Sequence, residues 1–256
     1  MNRTNVGNSL LDGLETENRN DRPCWSSEQL LGFDLETTGV DPFSDVPVSA
    51  ALVHVNAGSP ELTDHFIIDP EREIPAGATA VHGITTERAR EFGIPLDQGL
   101  DRIMNALNSA AANDIPVVGM NICYDLTIVD TMLGNRGGDR LSSLGLIVID
   151  ILTIDRHFDR FRKGKRTLQA LCDHYGAKLT DAHSAAGDAA ASVAVMLAQV
   201  AKFSDLKLMS VEDLHKAEIR WHSEWAAGFS DWLVSQGRDP LPDSSHLWPI
   251  SSRSAI

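Results

Sequence analysis

Residues 30–41 read LLGFDLETTGVD. The first six, Leu30 to Leu35, are a short apolar run ending in acidic residues, the pattern of a buried strand. The segment Thr37, Thr38, Gly39 then turns the chain. Alternate strand positions point to the same face, so Asp34 and Glu36 project together. Two carboxylates on an apolar element are costly unless something neutralises them, and cations would do so. An Asp-x-Glu pair is nevertheless common, and ordinary acids at an exposed strand end account for it equally well.

Working outward, residues 46–56 (VPVSAALVHVN) read as a second strand, with Pro47 near its start, and His65 to Ile68 as a third. A hairpin-type turn over 56–60 joins them, which predicts an antiparallel meander. A loop follows over 75–85. Helices are expected over 86–90 and 96–112, a fourth strand over 115–120 (IPVVGM), a helix over 124–133 and a fifth strand over 146–151 (LIVIDI). Two more helices follow, over 167–175 and 184–202. The strand–helix alternation after residue 115 implies a parallel half of the sheet. The fold class is therefore globular α/β.

The character changes after Phe203. Ser210 followed by Asp213 resembles a capping box. Leu214, Ala217, Trp221, Trp225, Trp232 and Leu233 then fall on one face of an amphipathic helix reaching about Ser235. Packing against the main domain is the favoured reading of this stripe, with a base-stacking platform as the other. The last stretch, with Pro240, Pro242 and Pro249, reads as a tail. These features divide the chain into a leader (1–27), a main domain (28–203) and a C-terminal helical extension with tail (204–256).

The 256 residues are 43% hydrophobic, enough for a full core. No apolar stretch approaches the roughly 20 residues that cross a bilayer, so no membrane association is expected. The segment from Met1 to Arg22 lacks a basic start followed by an apolar run, which argues against a secretory signal. Cys24, Cys123 and Cys172 form no Cys-x-x-Cys pair, which argues against a disulfide framework or a zinc site and for a cytoplasmic protein. A net charge of −14 opposes tight nonspecific binding to duplex nucleic acid.

Two further segments carry chemistry. Asp125 lies just after the fourth strand, early in a helix, where an acid also suits the helix dipole. In AHSAAGDAAAS (182–192), His183 is expected at or before a helix start and Asp188 one turn in, with the small residues allowing close approach to the sheet. Asp34, Glu36, Asp125 and Asp188 together are hard oxygen donors suited to two Mg²⁺ or Mn²⁺ ions, which activate water and stabilise the leaving oxygen of a phosphodiester. Histidine exchanges protons near neutral pH and suits removal of the water's proton.

The run FDLETTGVD (33–41) resembles the first motif of the DnaQ-like DEDDh 3′→5′ exonucleases, a family that includes polymerase proofreading subunits. VVGMNICYDLTIVD (117–130) resembles the second motif, with Asn121 and Asp125 in place, and AHSAAGDAAAS the third. IPAGATAVHGIT (74–85) is similar to the family's substrate-side loop. The resemblance implies a ribonuclease H-like fold with a mixed five-stranded sheet flanked by helices. It implies Asp34, Glu36 and Asp188 around one metal, Asp34 bridging to a second, Asp125 holding the second through water, and His183 as general base. It sets Thr37, Thr38, His82, Gly83, Ile84 and Asn121 against the substrate, with Ile84 available to stack on a base. One departure is Met120, where many relatives carry histidine.

The basic run RHFDRFRKGKR (156–166) stands out in an acidic chain. A solvated connection is its ordinary reading, but its nearness to the expected metal site favours phosphate contacts by Arg162, Lys163, Lys165 and Arg166. His54, His65, His157 and His174 read as structural or surface residues. The expected activity is removal of nucleotides from the 3′ end of DNA, with single strands favoured. The alternatives are an exoribonuclease with the same site, or a non-catalytic module of a replication complex docking through the tryptophan helix. Replication or repair proteins are the possible partners.

Overall fold

The computed structural model describes Ser26 and residues 28–56, 58–180 and 182–252. The expected leader, with Cys24, lies outside the described residues except for Ser26. Strand β1 (Gln29–Thr37) is the centre of the sheet, paired antiparallel with β2 (Pro47–Asn56) and parallel with β5 (Val117–Gly119). β2 pairs antiparallel with β3 (Ser59–Asp69), and β5 parallel with β6 (Val148–Asp150). The expected meander and parallel half are both present. Among the described residues the sheet has six strands in the order β4-β3-β2-β1-β5-β6, because Ile94–Pro95 (β4) adds one short parallel pairing to β3 that is too brief to leave a periodic signal. β3 also begins earlier than expected, since its first half is exposed and polar and carries no apolar alternation.

The helices are α1 (Ala76–His82), α2 (Thr86–Phe92), α3 (Leu96–Ala112), α4 (Cys123–Asn135), α5 (Ile151–Phe158), α6 (Leu168–Tyr175), α7 (Ala185–Lys202), α8 (Ser204–Leu208) and α9 (Val211–Ser235). α1 lies in the segment expected to be a loop; it buries no residue, so it has no apolar face to read. α5 was hidden by the apolar run 146–151 before it. That run breaks at Asp150, whose carboxylate accepts the Leu152 N–H at 2.9 Å and starts the helix.

β1 divides its side chains between two cores. Leu31, Phe33 and Leu35 face α3 and α4, while Leu30 joins the core under α5–α9. Gly32, on the Leu30 side, admits α7: a Cβ there would lie 2.9 Å from the Ala189 carbonyl oxygen and 3.1 Å from a Val193 methyl. α9 closes the edge of the sheet. The β6 amides Val148 and Asp150 donate to His215 Nδ1 (3.2 Å) and Glu218 Oε1 (3.0 Å) of α9, which consumes donors an edge strand would offer to another chain. Ser210 caps α9 as its sequence predicts, accepting the Asp213 N–H at 3.1 Å.

Two expectations about the C-terminal region change. The face of α9 that is buried runs Val211, Leu214, Ala217, Glu218, His222, Ala226, Ser230 and Leu233; Trp221 and Trp225 flank it, and Trp232 is 49% exposed. The stretch read as a tail is anchored: Trp248 is buried in the α3–α4 core, and the Ser251 N–H donates to Thr127 Oγ1 at 2.9 Å. Apolar burial of a single ring after Pro240 and Pro242 leaves no periodic trace.

Candidate active site

Asp34 and Glu36 stand on the face of β1 that meets α7, two and four residues beyond Gly32. Because Gly32 lets the helix backbone touch the strand, Asp188 in the first turn of α7 reaches them. Ligand oxygens of Asp34, Glu36 and Asp188 lie within 4.8 Å of one another. Burial, first, and then the charges of Asp125, Asp188 and Glu36 hold the Asp34 carboxyl well above the usual range. Burial and Asp188 push Glu36 up to about 7. Asp188 is also raised by burial, against the opposing effect of the His183 N–H and imidazole. One Asp188 oxygen, Oδ1, is buried without a hydrogen-bond partner among the described residues. Converging carboxylates, one of them with an orphaned oxygen, fit a hard divalent cation, which removes both the repulsion and the unmet acceptor.

Asp125, at the start of α4, is buried and accepts the Leu35 N–H at 3.0 Å. Burial raises its carboxyl well above the ordinary value, and that hydrogen bond opposes the rise. It lies outside the three-carboxylate group but within electrostatic reach of Asp34. Asn121, just before α4, is exposed with φ +55°, and its N–H is held by the Asp150 carboxylate at 2.9 Å. Met120 packs on the α7-side core.

A cleft of about 320 Å³ adjoins the carboxylates, lined by Glu36, His65, His82, Gly83, Ile84 and His183 among others. His183 is exposed at φ +65°, just before the Ser184 cap whose hydroxyl accepts the Gly187 N–H at 3.1 Å. The order of histidine, cap and first-turn aspartate is the one expected. His82 ends α1, its Nδ1 accepts the Ile84 N–H at 3.1 Å, and Gly83 at φ +73° turns the chain behind it. Burial lowers the His82 imidazole, against the pull of the Thr37 carbonyl. Ile84 is 8% exposed in a small cluster with Val48, Ile74 and Ala89, so it gives the cleft an edge and no stacking surface.

The other expected substrate contacts are partly committed elsewhere. Thr37 Oγ1 donates to the Gly39 carbonyl (2.8 Å) and Thr38 Oγ1 to Asp45 (2.7 Å), so both hydroxyls shape the turn. Arg162 (2.9 Å) and Arg166 pair with the fully buried Asp155, which also accepts from Tyr175 at 2.8 Å. Lys163 and Lys165 are exposed. Asp155 and Glu218 were not legible as anchors, since an acid inside a helix reads as solvated until its partners are known. His65, read as structural, lines the cleft.

The exonuclease family model (RNase T) matches residues 31–196, a span that holds all four carboxylates and His183. The chain belongs to this exonuclease family. Among curated relatives of this exonuclease domain, DNA polymerase III PolC-type of Clostridium perfringens is 27% identical over 192 residues, covering 73% of this chain and 12% of that protein. DNA polymerase III subunit epsilon of Buchnera aphidicola is 29% identical over 159 residues, covering 59% of this chain and 62% of that one. The chain thus spans less than two thirds of either relative. Among solved structures, the zinc-bound complex of E. coli exonuclease I with single-stranded DNA superposes with a TM-score of 0.59 at 20% identity, covering 77% of this chain and 43% of that one. Exonuclease I of Methylocaldum szegediense gives 0.58 at 22%, covering 70% and 42%. At these identities the likeness is one of fold, and it agrees with the expected ribonuclease H-like sheet flanked by helices.

Proposed function

We propose that this exonuclease-family chain is a metal-dependent 3′→5′ exonuclease acting on single-stranded DNA and releasing nucleoside monophosphates. The observation that carries the reading is the convergence of Asp34, Glu36 and Asp188 beside a cleft that also receives His183. Asp34, Glu36 and Asp188 would hold one divalent ion, Mg²⁺ or Mn²⁺, with Asp125 serving a second. Bound there, such ions supply an activated water and charge stabilisation at the phosphate. His183 accepts the proton of the attacking water at its imidazole nitrogen. Gly83 and Asn121 offer backbone and amide contacts to the terminal nucleotide, while Thr37 and Thr38 hold the turn around it.

DNA is favoured because both curated relatives are DNA polymerase III chains and several E. coli exonuclease I structures are complexes with oligonucleotides such as dT13 and dA16. RNA with the same site is the second reading, favoured by the RNase T family model. A purely structural module is disfavoured, since burial and mutual repulsion hold the converging carboxyls above their ordinary range, a cost that a structural role does not explain. We assign 28–203 to the nuclease domain and 204–256 to an extension that braces it, with a replication or repair protein as partner. Among the described residues no helix is long and apolar enough to cross a membrane. Cys123 and Cys172 are free and buried, in keeping with a reducing cytoplasmic setting. The test is digestion of matched 5′-labelled DNA and RNA oligonucleotides in Mn²⁺, Mg²⁺ and chelator. Shortening of DNA from its 3′ end with either metal is expected; intact DNA with both metals refutes the proposal.

A further inference from the structure

A groove of about 630 Å³ runs between α5 and α9. Its α9 wall carries Trp221, Trp225, Phe229 and Trp232, and the facing wall carries Arg156, Arg160 and Arg166. The rings are ordered in series. Trp225, Phe229 and Trp232 stack at successive centroid separations of 5.5 Å with interplanar angles of 11° and 15°. His157 lies face to face with Trp221 at 4.0 Å, and the Arg156 guanidinium sits 3.4 Å from the Trp225 centroid. An ordinary core stripe would turn these rings inward. Here Ala226 and Ser230 are buried while the large rings stay at the water's edge, and the ladder ends in a half-exposed Trp232. Gly228 also lines the groove, and a Cβ there would meet nothing, so no packing contact requires a glycine that costs the helix about 1 kcal/mol relative to alanine.

The charge of the groove opposes that of the chain. Arg156, Arg160 and Arg166 line it with one acid, Glu224, and Arg166 is paired with Asp155, in a protein of net charge −14. Asp155 balances two guanidinium groups, Arg162 and Arg166, with one carboxylate, which leaves an excess positive charge at the groove's lip. Exposed Lys163 and Lys165 belong to the same connection after α5. Arg156 lies within electrostatic reach of Asp150, whose carboxylate holds the Asn121 N–H in the loop before Asp125.

We propose that this groove binds single-stranded nucleic acid on the 5′ side of the terminus being cut, a base stacking on Trp232 at the open end of the ladder and Arg160 facing phosphate. Bases present a π-face whatever their identity, and stacking on aromatic rings with cationic phosphate contacts is a sequence-tolerant way to hold a strand. Proline-rich peptides also dock on aromatic grooves, but they bring no negative charge to match Arg160. The proposal rests on the nuclease reading only for the strand's destination, so binding is tested apart from cleavage.

Anisotropy of a labelled oligothymidylate, measured in chelator, compares the wild type with Phe229→Ala/Trp232→Ala, Arg160→Ala and Gly228→Glu. The last places a negative side chain in the groove at a position where the fold has room. The aromatic double variant and Gly228→Glu should each weaken binding about 10- to 100-fold, and Arg160→Ala should flatten the dependence of affinity on salt. A dinucleotide too short to reach the groove should bind all four proteins alike. Wild-type oligonucleotide affinity in the aromatic variant and in Gly228→Glu overturns the proposal, as does loss of a proline-rich peptide with the oligonucleotide unaffected. A wild type that binds through these residues yet cuts nothing in any metal keeps the groove and removes the nuclease reading. One that cuts with unaltered KM in every groove variant does the reverse.

Discussion

Asp34, Glu36, Asp125 and Asp188 are all shifted in the same direction, which fixes how the metal-free protein responds to pH. Glu36 rises from 4.5 to about 7, so between those values the folded carboxyl keeps a proton the unfolded chain has released. The folded state binds more protons there, and stability in chelator should fall as pH rises through that window. Millimolar Mn²⁺ should raise the Tm and flatten the trend, because an ion that binds only the folded site stabilises it by mass action. Thermal melts from pH 4.5 to 7 with and without Mn²⁺ check this; coincident curves would remove the metal site. At His183 the backbone φ of +65° makes asparagine a better replacement than alanine, since asparagine tolerates that region. His183→Asn should lower turnover by about 10²–10⁴-fold while calorimetric metal binding persists, whereas Asp34→Ala should lose both.

Elements bring those residues together, and two of them are sensitive to single atoms. Gly32→Ala places a Cβ 2.9 Å from the Ala189 carbonyl, and backbone cannot move aside as a flexible side chain does. The change should destabilise the fold by about 1–3 kcal/mol and weaken Mn²⁺ binding, because Asp188 rides on the displaced helix. A variant that melts normally and binds Mn²⁺ normally would show that α7 does not set the site. The connection after α5 is two structures in one. Asp155→Asn leaves two guanidinium groups against a neutral buried amide and should cost about 3–5 kcal/mol, read as a large drop in urea midpoint. Lys163→Ala/Lys165→Ala should leave that midpoint unchanged and raise KM on long oligonucleotides at low salt only, as screened phosphate contacts require.

For the whole molecule, the C-terminal region is part of the domain's closure. α9 side chains accept the β6 amides, and Trp248 fills the opposite core. A chain ending at Phe203 would leave those amides unpaired at a sheet edge and remove a buried ring. It should melt well below the full chain and aggregate, whereas the full chain should unfold in one calorimetric transition. Equal melting of the two would make residues 204–256 a separate appendage.

The sequence by itself determined the strand carrying Asp34 and Glu36, the helix with Asp188 in its first turn, the parallel and antiparallel halves of the sheet and the kinship with exonucleases. Each of these is written in a local repeat of period two or 3.6, or in a motif a few residues long. Only the tertiary structure decided the fate of Arg162 and Arg166, bound to a buried aspartate; of the α9 rings, set beside the core and not within it; of Ile84, buried where a stacking surface was expected; and of Trp248, drawn into the α3–α4 core. The reason is the same in every case. A charged or aromatic side chain shows its chemistry in the sequence, but which partner it meets depends on elements distant in the chain, and the partner decides whether it faces the core, an ion pair or a ligand.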